Sequence, residues 1–198
     1  MQDEVKAYLR WENESIPNDL EISIEQEWRS DLNICEADTD VIFQKEKEIL
    51  SLEQYLELKK LALKSAKDFL ELYNSIEDKH ISVVAEKITF LGPRPRTAYE
   101  MYEHTKEVNS YYFGEIGVNV DNEGTIYECR KRGFELLEMQ ENFLNNDVVV
   151  GSYNEEWLLR KVLRRFIWHD RIHGKAMYRM AIKTFGEDSV PDVFRFEG

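Results

Sequence analysis

Four histidines occur in this chain: His80, His104, His169 and His173. Two of them, His169 and His173, stand four residues apart in EEWLLRKVLRRFIWHDRIHGKAMYRMAIKTF, where apolar residues recur at steps of three and four. Leu158, Val162, Phe166, His169, His173, Ala176 and Met180 form one stripe of the helix this pattern predicts, and the stripe turns both imidazoles toward a core. Side chains four apart on a helix are neighbours, so the two rings can reach one metal ion. Two adjacent imidazoles in an apolar setting each need a polar partner, and a shared ion serves both. A third ligand must come from another helix at matching depth. His104 meets that condition, because Met101, His104, Val108 and Tyr111 share a face of a second predicted helix and point inward. His80, in Glu77-Asp78-Lys79-His80 at a helix end, reads as a solvated terminal residue.

Three neutral imidazoles with a fourth position open are the ligand set of a catalytic zinc ion, which acidifies a bound water or thiol. A closed structural site has four ligands, often cysteines. Cys129, on the core face of a third predicted helix, reads instead as a small core residue. His169-Asp170-x-x-His173 also resembles the His-Glu-x-x-His of zinc proteases, but Asp is one methylene shorter than Glu and no downstream third ligand follows. Glu100 and Glu107, one turn either side of His104, are candidates to orient it; salt bridges are the plainer role for both. Asp170 lies at the edge of the histidine stripe. Tyr111, about 10 Å further along its helix than His104, would line a pocket rather than bind an ion. Gly174, inside a helix where glycine costs about 1 kcal/mol relative to Ala, implies close packing or room for a substrate.

The elements that must position these groups are mostly helices. From Ser51 the apolar spacing is helical over about seven turns, and Ser51 with Gln54 is a capping box. Thr97 with Glu100 opens a second helix running to about Ile116, and Thr125 with Glu128 a third; the fourth and longest runs from near Asn154 to Gly186. Four amphipathic helices with connectors of modest length predict a mainly α protein, an antiparallel four-helix bundle. The connector between the first two contains a strand-like Ile81-Ser82-Val83-Val84 and a breaker run, Gly92-Pro93-Arg94-Pro95. Residues 1–50 read differently. Val5, Ala7, Leu9 and Trp11 alternate with polar residues, as do Leu20, Ile22 and Ile24, with a turn at Ile16-Pro17-Asn18-Asp19; Val41-Ile42-Phe43 offers a third strand. The expectation is a small β-rich N-terminal extension (1–50) packed on a bundle (51–198).

At this point the pattern resembles a known family. A His near the start of the second helix (Tyr102-Glu103-His104) and a His-x-x-x-His far downstream (Trp168-His169-Asp170-Arg171-Ile172-His173) are similar to the DinB/YfiT-like superfamily of metal-dependent bundles. The resemblance covers roughly Ser51 to Gly186. It implies one divalent ion, zinc or nickel, on His104, His169 and His173, with open positions for water or substrate. It also implies a thiol-transferase or hydrolase activity and a homodimer. The chain departs from the family in its N-terminal extension and its long first connector. A non-catalytic, metal-stabilised or partner-binding bundle is the alternative reading.

Composition narrows the partners. A net charge of −13 argues against nucleic acid. No apolar run reaches the length of a membrane span, and residues 1–11 lack the form of a secretion signal, so a cytoplasmic protein with Cys35 and Cys129 reduced is expected. The charge is uneven: Glu155 to Lys183 holds eight basic residues against three acidic. Such a helix either exchanges salt bridges with acidic neighbours or draws an anionic substrate; a small thiol-containing or anionic molecule is the expected substrate.

Overall fold

A computed structural model describes residues 1–29, 41–89 and 92–197. Its elements are helix α1 (Gln2–Glu12), a 3-10 turn (Gln44–Lys47), α2 (Leu52–Ser75), hairpin strands β1 (Ile88–Thr89) and β2 (Gly92–Pro93), α3 (Ala98–Glu115), α4 (Ile126–Glu138), hairpin strands β3 (Val149–Val150) and β4 (Glu156–Trp157), and α5 (Leu159–Phe185). The protein is mainly α, as expected, with five helices packed together and two two-stranded antiparallel sheets.

The N-terminal β reading is overturned. Residues 2–12 are helical, with Ala7 and Trp11 buried one turn apart. Their spacing of four fits a helix as well as the apparent alternation fits a strand, and Val5 and Leu9 are only partly covered. Trp11 donates its indole N–H to Asp68 of α2 at 2.6 Å, and the helix stops at Asn13 in the left-handed conformation. Neither Leu20–Ile24 nor Val41–Phe43 is a strand, and Ile24 is exposed. Ile81–Val84 is not one either.

Three of the four main helices begin where their capping boxes predict. Ser51, Thr97 and Thr125 each accept from the backbone N–H three residues on, while Gln54, Glu100 and Glu128 reach back to the cap backbone. Helix α5 starts five residues later than expected. Tyr153 and Asn154 both take left-handed backbone angles, which end any helix, and Glu156–Trp157 pairs as a strand instead. Leu158 makes no side-chain cap; the Arg160 N–H is met by Asn146 Oδ1 at 2.9 Å. The Asn146 amide also donates to the Glu46 and Glu48 carbonyls.

Helix α2 packs on α4 and α5, and α3 packs on the same two. Tyr55 meets Glu138 while Ala62 meets Arg130, so α2 and α4 run antiparallel; Tyr112–Phe166 and His104–His173 give the same sense for α3 and α5. The other pairs run parallel: Gln54–Arg160 with Ser65–Asp170, and Tyr102–Ile126 with Asn109–Arg130. The expected antiparallel arrangement thus holds across two of the four contacts. The chain returns beside α3 through 116–125, an extended stretch that buries Val118 and Val120 alternately and is held to α3 by Asn122 bonding Ser110.

Candidate metal centre

His104 comes from the first half of α3 and His169 and His173 from the middle of α5, across their antiparallel contact. One nitrogen of each ring lies within 4.8 Å of the others. Ring centroids are 4.3 Å apart for His169–His173, 4.7 Å for His104–His173 and 5.4 Å for His104–His169. A tetrahedral zinc ion holds its ligand atoms about 3.3 Å apart, so closing the triangle on an ion asks for ring movements of at most about 1 Å. The three histidines singled out in the sequence are thus brought together by the fold, while His80 lies elsewhere. That residue is exposed against Tyr99.

The three rings form a gradient of exposure. His169 is buried at 6%, His173 is partly covered and His104 is exposed. The inward placement expected for His104 is corrected: its ring is exposed at the edge of the cluster. This leaves one side of the cluster accessible from solvent. Burial, with the neighbouring His173 and His104, pushes the His169 pKa well below its usual value. Burial, then His104 and Arg94, lowers that of His173 to about 3. Both rings are neutral at pH 7, which is the form that offers a lone pair to a metal.

His169 Nδ1 is buried and has no hydrogen-bond partner among the described residues. An unsatisfied buried polar group costs about 1–3 kcal/mol, and an ion at this cluster would satisfy it. The donor set therefore fits a divalent metal. Tyr112 lies against His169, edge-on at 6.0 Å, and its hydroxyl accepts from Arg165 at 2.7 Å. Tyr111 packs edge-on against Trp157.

The other candidates have structural roles. Glu100 caps α3, accepting from the backbone N–H of Arg96 and Thr97, and Glu107 is exposed. Cys129 is buried and not in a disulfide; burial raises its thiol pKa, and its Sγ lies 3.2 Å from the Glu123 carbonyl. Cys35 lies outside the described residues. Gly174 faces the Phe194 ring, which a Cβ would approach to 2.6 Å, so close packing explains it and room for a substrate does not.

Asp170 departs furthest from the reading of it as a residue at the stripe edge. It is fully buried and forms a bidentate pair with Arg130 of α4, at 3.0 and 3.1 Å. Ser65 of α2 donates to the same carboxylate at 2.6 Å. Arg130 also donates to Asn109 of α3 at 2.5 Å and to the Ala62 carbonyl at 3.1 Å. Burial raises the Asp170 pKa against the lowering pull of Arg130 and Ser65. Four helices thus meet at one polar cluster next in sequence to His169. A carboxylate engaged in this way is not available as the base of a protease.

The chain was compared with protein-family models, with curated proteins and with solved structures, and none matches it. None of the described helices is long and apolar enough to cross a membrane.

Proposed function

We propose that His104, His169 and His173 bind one divalent ion, zinc or nickel, and that the protein is a metal-dependent enzyme of the thiol-transferase or hydrolase kind, a four-helix-bundle relative of the DinB/YfiT-like proteins. The observation that carries the metal assignment is the buried, unpartnered Nδ1 of His169 within a cluster of three imidazole nitrogens spanning 4.8 Å. When bound, such an ion lowers the pKa of a coordinated water or thiol toward neutrality. The chain's own residues hold His169 and His173 neutral by burial and keep the His104 side open to a small molecule. Tyr112, fixed by Arg165, limits the rotation of the His169 ring.

Metal analysis of freshly purified protein tests the assignment: about one zinc or nickel ion per chain is expected, falling to near none in His169→Ala and His173→Ala. Unchanged metal content in either variant would sink it. Cobalt substitution then tests the open position. Addition of a thiol should change the visible spectrum, whereas a spectrum indifferent to thiols and anions would argue for a non-catalytic, metal-stabilised bundle.

A further inference from the structure

The side of α5 turned away from the histidines forms one wall of a groove of about 720 Å³. Residues 160, 164, 167, 168, 171, 172 and 175 recur at helical spacing along this wall, and α1, Leu58 of α2 and Phe196 close the others. Its middle is apolar. Trp168 and Ile172, at 42% and 45% exposure, are uncovered large side chains on a helix whose opposite face is core. Its ends are cationic. Arg164 and Lys175 are matched by the carboxylates of Glu46 and Glu4. Among the described residues, Arg160 and Arg171 form no ion pair with a carboxylate, although Glu4, Asp192 and Glu12 act on Arg171 from nearby.

Arg160 donates to two neutral acceptors, the Ile49 carbonyl and Gln54 Oε1, and its Nε is buried without a partner. Arg171 donates to the Phe194 carbonyl and lies against the rings of Tyr8, Trp11, Phe194 and Phe196. The groove is lined by four basic side chains, Arg160, Arg164, Arg171 and Lys175, against two acidic ones, Glu4 and Glu46, so its local charge is opposite in sign to the chain's net charge of −13. Pockets of this volume, apolar with a few fixed polar groups, are typical of small-molecule sites.

We infer that this groove binds an amphipathic anion, a carboxylate carrying an alkyl chain, with its head at Arg171 and its chain over Ile172, Trp168, Ile167 and Leu58. From residue 171 back to 164 the helix rises about 10 Å, which suits a medium-length chain. The head pairs with a guanidinium that lies against four rings and donates to a carbonyl but makes no ion pair among the described residues. The chain covers the apolar surface that Trp168 and Ile172 otherwise expose, each buried methylene tightening binding about fourfold.

The test titrates sodium decanoate, below its micelle-forming concentration, into the full-length protein, followed by calorimetry and tryptophan emission. Saturable one-to-one binding is expected, roughly fifteenfold weaker for octanoate, which lacks two methylenes, and none for decyltrimethylammonium, which has a tail of similar length and the opposite charge. Ile172→Asp should weaken decanoate at least tenfold. Arg171→Met, which retains the apolar stem, should remove the preference for the anion. His104→Ala should leave binding unchanged. The inference is overturned by absence of saturable binding, by equal binding of the cationic amphiphile, or by binding that survives Ile172→Asp and disappears in His104→Ala.

Discussion

Replacing Asp170 with Asn removes the negative charge from the polar cluster and leaves its shape. Arg130 and Asp170 are both fully buried, so water cannot compensate the guanidinium that remains. Breaking a buried pair by removing one partner costs about 3–5 kcal/mol. Asn keeps an oxygen for one Arg130 N–H and for Ser65, which puts the expected loss near the lower end, about 3 kcal/mol. For a domain of this size each 1 kcal/mol shifts Tm by about 2–4 °C, so Asp170→Asn should melt roughly 6–12 °C below the parent protein. Circular dichroism melts and urea denaturation measure this directly. The double variant Arg130→Met/Asp170→Leu should recover most or all of the lost stability, because it removes both desolvated charges and fills the space with apolar groups. The raised pKa of Asp170 points the same way, since burial there outweighs the favourable pull of Arg130 and Ser65. A loss below 1 kcal/mol in Asp170→Asn would refute the reasoning, as would a double variant less stable than either single one.

Other outcomes follow from the same geometry. Gly174→Ala gains about 1 kcal/mol in helix propensity but drives a methyl against the Phe194 ring, and overpacking costs about 1–3 kcal/mol; urea denaturation should show a net loss, and a gain would mean the C-terminal segment does not pack there. In metal-free protein the unfolded His173 binds a proton near pH 6.5 while the folded one does so only near pH 3. Stability is therefore full above pH 6.5 and falls as pH drops from 6.5 toward 3, by up to about 1.4 kcal/mol per pH unit for each such histidine. Urea midpoints between pH 7 and 5 should fall less steeply in His173→Ala. Asn146→Ala removes the acceptor of the Arg160 N–H together with the donor to two carbonyls, and should cost about 1–2 kcal/mol; slower amide exchange at residue 160 in the variant would contradict the cap.

The parts of this fold that were legible in the sequence are those whose signals are local. The capping boxes at Ser51, Thr97 and Thr125 stand three residues from their partners, and each begins a helix. The start of α5 was not legible because its cap comes from Asn146, in a loop fourteen residues away. Residues 2–12 carry both periods at once, and what decided for a helix was the packing of Trp11 against Asp68, Lys64 and Phe194. The histidine cluster was readable from spacing on α5 and from depth along α3. The exposure of His104 was not, because a helical face says which side turns toward the neighbours and not how near that side is to the rim. Arg130 was overlooked because a charged residue is ordinarily assigned to the solvent face. Its burial depends on Asp170, forty residues away. A buried ion pair declares itself only when both partners are placed.

His169 and Asp170 are consecutive, so on an α-helix their side chains point about 100° apart. The first is directed to α3, where His104 and Tyr112 lie; the second is directed to α2 and α4, where Ser65 and Arg130 bind it. A rotation of α5 about its axis that moved the imidazole would also pull the carboxylate out of a bidentate geometry that tolerates little displacement. Arg130 reaches α3 as well, through Asn109, five residues along from His104. The two helices that carry the histidines are thus anchored to one buried point. The exposed ring of His104 is thereby kept in place relative to His169 and His173 by the anchoring of its helix. The polar cluster and the histidine cluster differ in what they offer a ligand. The first is closed by protein donors and acceptors, whereas the second has two neutral rings, a buried nitrogen without a partner among the described residues and one exposed ring. The second therefore offers lone pairs to a ligand, and the first fixes the helices that carry them.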